Sequence, residues 1–86
     1  MNAKPEDISM LLVTAERYAI GRRTYIVEWV CEVIKNNLAL LSDKDRQVMI
    51  RDIKEAYSYG DECDKAQWMI LLKKLEEHKD EQNNNN

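Results

Sequence analysis

Along the chain, apolar residues recur at spacings of three and four rather than two, the signature of helices with one buried face. Ile8, Leu11, Leu12, Ala15 and Tyr18 or Ala19 mark the first such face. Pro5, Glu6 and Asp7 suit its opening, since proline at a first turn loses no needed donor and acids there meet the positive end of the helix dipole. Gly21 suits its end, being free to take the left-handed conformation that other residues resist. A second face follows at Ile26, Val30, Val33, Ile34, Leu38 and Leu41, with Thr24 expected as its N-terminal cap. The run Tyr25–Val30 is rich in β-branched and aromatic residues, so a strand competes there. The pattern persists past Cys31 at helical spacing without alternating, which decides for helix.

Ser42, with Asp43 and Asp45 after it, opens a third helix whose inner stripe is Met49, Ile50, Ile53, Ala56 and Tyr57, with Arg51 and Glu55 on the wet side. Gly60 is expected to end it. Asp64 and Gln67 have the spacing of a capping box for a fourth helix that buries Trp68, Leu71, Leu72 and Leu75. The expected fold is therefore all-α: a small bundle of three main helices plus a shorter C-terminal one, occupying residues 1–78. Residues 79–86 carry no apolar anchor and are expected to form a disordered polar tail. From Tyr25 to Ile34 only Glu28 and Glu32 are clearly polar, more apolar surface than one small subunit can use. That surplus, in a chain of only 86 residues, predicts a homo-oligomer built on the second helix.

Composition narrows the function. A net charge of −3 and a pI near 5.1 argue against broad nucleic-acid binding, because that affinity rests on a broad basic face. No apolar run approaches the roughly 20 residues of a membrane span, and the first residues do not resemble a signal peptide. The expected setting is the bacterial cytoplasm, with Cys31 and Cys63 as free thiols. Enzyme motifs are missing from the sequence. The single histidine, His78, lies beside the polar tail, and Cys31, Cys63 and His78 lack the spacing of a zinc site, so neither a metal nor any other cofactor is expected. The acids Asp61, Glu62 and Asp64 read as a solvated turn. Trp29, Trp68, Tyr57 and Tyr59 read as core aromatics.

One stretch breaks a local rule. Three of the five arginines fall within Glu16–Tyr25, and Arg22 and Arg23 stand just before a helix N-terminus, where the dipole disfavours cations. Two kinds of anion would correct this. One is a phosphate gripped by Arg17, Arg22, Arg23 and the Thr24 hydroxyl, with Tyr18 or Tyr25 stacking on a base. The other is the protein's own carboxylates, from Glu16, Glu28 or the acidic turn.

The same run, Glu-Arg-Tyr-Ala-Ile-Gly-Arg-Arg-Thr-Tyr, together with Arg51-Asp52-Ile53 and Gly60-Asp61-Glu62-Cys63-Asp64, resembles a group of short proteins encoded by bacteriophages and prophages. The resemblance covers Ile8 to about Leu75 and carries no catalytic residues with it. It implies a phage protein that counters host defence, either by sequestering a nucleotide signal or by masking a defence protein. The first expectation is accordingly a non-enzymatic binder of a phosphate-bearing, nucleotide-type ligand through Arg17, Tyr18, Arg22, Arg23, Thr24 and Tyr25. The alternative is an acidic interaction module that inhibits or adapts a host or phage protein.

Overall fold

Pro5, Glu6 and Asp7 do open a helix, and Gly21 does follow its end. The computed structural model describes residues 4–58 and 64–83, without the side chains of Pro5 and of residues 78–83. It places α1 at Pro5–Ala19, α2 at Thr24–Lys35, a 3₁₀ turn at Leu38–Leu40, α3 at Asp43–Ser58 and α4 at Lys65–Asn83. There is no strand among the described residues, so the β-branched run Tyr25–Val30 is helical. The expectations for Tyr59, Gly60, Asp61, Glu62, Cys63, the His78 side chain and residues 84–86 lie outside the described residues.

Each inner helix face meets two neighbours. α1 packs against α2 and α3, and α4 packs against the same two from the other side. Val27, Ile34, Met49, Ile53, Trp68 and Leu71 are fully or almost fully buried where these faces converge. Burying each such side chain contributes about 1.5–3 kcal/mol. The shortest principal dimension is 18 Å, which leaves room for one shared core layer, so every helix keeps an outer face.

Three expectations about the helices are corrected. The buried stripe of α1 is Ser9, Leu12, Val13, Glu16 and Ala19, while Leu11 and Tyr18 are exposed. The stripe turns toward two polar residues because both have partners on or next to α3. Ser9 Oγ donates to Asp45 Oδ2 at 2.6 Å and accepts the Ser42 backbone N–H at 2.9 Å. Thr24 is not the cap of α2. Arg23 holds that place in an extended conformation, its carbonyl accepting the N–H groups of Ile26 and Val27, and Thr24 is the first helical residue. The fourth helix is the longest rather than the shortest, at 19 residues against 15, 12 and 16. No glycine or proline interrupts the chain after Asp64, and Lys, Glu and Gln are strong helix formers, so α4 runs through residues 79–83 that were assigned to the tail.

Other local readings hold. Gly21 has φ of 80°, the left-handed turn that lets the chain leave α1 and re-enter a helix three residues later. Ser42 caps α3, its Oγ accepting the Asp45 N–H at 3.1 Å. Two contacts without a sequence signal join them: Asn37, just past the Asn36 cap of α2, donates from Nδ2 to the Val33 carbonyl at 2.7 Å. The Tyr57 hydroxyl donates to the Lys65 carbonyl and ties the end of α3 to the start of α4.

Candidate functional site

The six residues singled out in the sequence divide when placed in space. Arg17, on the last turn of α1, leaves the group: its Nε lies 2.9 Å from Asp52 Oδ2 on α3. The hydrogen bond and charge of Asp52 hold the guanidinium proton more firmly still. The anion that corrects Arg17 is thus an internal carboxylate, and not one of those expected.

Arg22 is satisfied differently. Its Nε donates to the Tyr18 carbonyl at 2.9 Å, and its guanidinium lies over the Tyr18 ring, 4.3 Å from the centroid. Electrostatically it therefore belongs to the C-terminus of α1, where a cation and an orphan carbonyl suit each other, rather than to the start of α2. The apparent violation at Arg22 disappears. At Arg23 it persists: the side chain is exposed, α2 has no acid in its first turn, and no side chain caps that turn. Thr24 and Tyr25 are exposed beside it.

The outer surface of this corner is aromatic. Tyr18 and Tyr25 are 54% and 66% exposed, and Trp29, one turn beyond Tyr25, is 69% exposed. The expectation of a buried Trp29 is overturned, because Val27, Val30, Cys31 and Ile34 already fill the inner side of α2. Trp68, by contrast, is in the core as expected.

Sequence reading named Glu16 only as a carboxylate for the arginines and missed that it is wholly buried. Burial, then the facing Asp52 charge, raises its pKa from the usual 4.5 to about 9, against a smaller lowering by Arg17. As carboxylates, Glu16 and Asp52 have no proton to share, and neither Glu16 oxygen has another partner. Protonation of Glu16 supplies the missing donor toward Asp52. Its place on the α1 stripe, four residues after Leu12 and three before Ala19, was the available signal. With no solvent access, this perturbed acid reaches no substrate; its partners make it a packing feature.

Cys31 is a buried free thiol, pushed up to about 12 chiefly by burial, and so unreactive at neutral pH. Among the described residues no group of three or more His, Cys, Asp or Glu could hold a metal ion. No helix among them is long and apolar enough to cross a membrane. What this corner presents is exposed aromatic rings, guanidiniums and a bare helix start.

Comparison of the chain with protein-family models, curated proteins and solved structures finds no match.

Proposed function

We propose that this chain is a small helical interaction module whose docking surface is the outer face of α2 with the adjoining end of α1, made of Tyr18, Arg22, Arg23, Tyr25 and Trp29. The observation that carries this reading is the exposure of Trp29 and Tyr25 one turn apart on a single helix face. Trp, Tyr and Arg are the residues that dominate binding energy at protein interfaces, and contiguous exposed apolar surface on a small protein marks a contact. The likeness to phage proteins makes a host or phage protein one class of partner, and another copy of the chain a second.

Capture on immobilised protein tests this. Wild type is expected to retain its partner, whether a protein from bacterial lysate or untagged copies of itself, and Trp29→Glu is expected to release it. Equal retention by both would refute the reading.

One observation favours a second reading. The start of α2, without acid or side-chain cap, keeps Arg23 and Thr24 exposed around its first-turn amides, a geometry suited to a phosphate of a nucleotide-type ligand. Calorimetry against a nucleotide panel tests it, with Arg23→Glu expected to abolish any heat; a panel without response refutes it. Arg17, held by Asp52, is not needed in that site.

A further inference from the structure

We infer that the α2 face is occupied by the same face of a second copy, antiparallel and related by a two-fold axis. The inference rests on reading that face as the docking surface, and it names the occupant.

The argument is one of charge along a single stripe. Tyr25, Trp29, Glu32 and Asn36 succeed one another at intervals of four, three and four, so they line up on the outside of α2, and all are exposed. Glu28 flanks them, also exposed. Beside the N-terminal end of the stripe the surface is cationic: Arg23 holds the cap position of α2, Arg22 is exposed in the turn before it, packed on Tyr18, and the first turn has no acid. The far half is anionic. Glu32 pairs with Lys35 at 3.0 Å yet its side chain stays 61% exposed, open to a second cation.

Such a stripe is complementary to itself reversed. An antiparallel register centred between Tyr25 and Trp29 sets Tyr25 against Trp29 of the partner subunit and brings the turn that carries Arg22 and Arg23 to the end of the stripe where Glu32 of the partner subunit lies. Two-fold symmetry repeats both contacts, as an isologous interface requires. Parallel pairing would oppose arginines to arginines and glutamates to glutamates. A uniformly acidic partner would satisfy Arg22 and Arg23 but meet Glu32, and a uniformly basic one would do the reverse. The reversed copy answers both ends and covers the aromatic pair between them.

Sedimentation velocity over a concentration series tests the inference. Wild type is expected to reach twice the 10.2 kDa chain mass at high micromolar concentration. Arg22→Glu and Glu32→Arg are each expected to weaken dimerisation by about tenfold, because each homodimer then carries two like-charge contacts. An equimolar mixture of the two variants is expected to recover the dimer, since both contacts in the mixed pair are again of opposite charge. Circular dichroism confirms folding, and all the substituted positions are exposed. A wild-type mass of one chain at every concentration overturns the inference; if Trp29-dependent capture of another protein survives, the docking surface itself stands. A wild-type dimer that Trp29→Glu leaves intact overturns the inference, because the copies then meet on another face. A dimer that the mixture fails to recover overturns the antiparallel arrangement.

Discussion

Arg17 and Asp52 meet at 2.9 Å between α1 and α3, and directly inside that contact the neighbouring Glu16 faces the same Asp52 from the core. Two consecutive residues of α1 thus address one carboxylate from opposite sides. The outer one supplies a cation and the inner one, once protonated, a hydrogen-bond donor.

This arrangement gives the stability a definite pH dependence. The folded pKa of Glu16, about 9, stands above its ordinary 4.5, so the native state binds more protons than the unfolded chain across that window. The Glu16 contribution is fully present below about pH 4.5 and is lost as pH rises toward 9. Glu16→Gln keeps a donor toward Asp52 and removes the titration. It is expected to stabilise the fold by about 1–3 kcal/mol near pH 8 and to leave it nearly unchanged near pH 4. Thermal unfolding at the two pH values checks this; equal Tm changes at both would refute it.

Ser9 is the second polar residue of the α1 stripe, and its single hydroxyl serves two partners. Ser9→Ala removes the donor to Asp45 and the acceptor for the Ser42 N–H in one step. The expected cost is about 1–3 kcal/mol, the usual range when a buried polar partner is left unsatisfied. Urea unfolding followed by circular dichroism measures it, and a change within about 0.5 kcal/mol would mean that water replaces the hydroxyl without loss.

The two tryptophans should behave as opposites. Trp68→Ala is expected to cost about 3–5 kcal/mol, as for other large-to-small changes in a packed core. Trp29→Ser is expected to shift stability by no more than about 0.5 kcal/mol at low protein concentration, where no second copy covers it. Iodide should quench Trp29 fluorescence freely and leave Trp68 almost untouched. Similar quenching of both would contradict their placement.

Four helices with their main core residues were legible because apolar periodicity reports a helix face directly, as with Trp68, Leu71, Leu72 and Leu75. Local rules served equally well where a short-range contact decides the outcome, as at Gly21 and Ser42. The α1 face was misjudged because hydrophobicity alone prefers Leu11 to Glu16. What buries Glu16 and Ser9 is a set of partners 33 to 36 positions away, invisible to any local window. Arg17 was misplaced for the same reason, its partner lying 35 positions downstream. Arg22 was assigned to the wrong helix: a cation between two helix ends can serve either, and only the fold of the turn shows that it bends back to Tyr18. Trp29 was expected inside because aromatic residues usually are, whereas α2 carries more apolar positions than its inner side can take.

The contact from Ser9 to Ser42 and Asp45 spans the whole of α2, since one end lies on α1 and the other at the start of α3. Topologically, α2 is strung across a closed ring, with Gly21 at one corner and Asn37 near the other. A helix held in this way has already lost the backbone freedom that a loose segment would surrender on docking. Tyr25 and Trp29 are therefore presented on a preorganised support, and a partner that meets them orders little more than two rings.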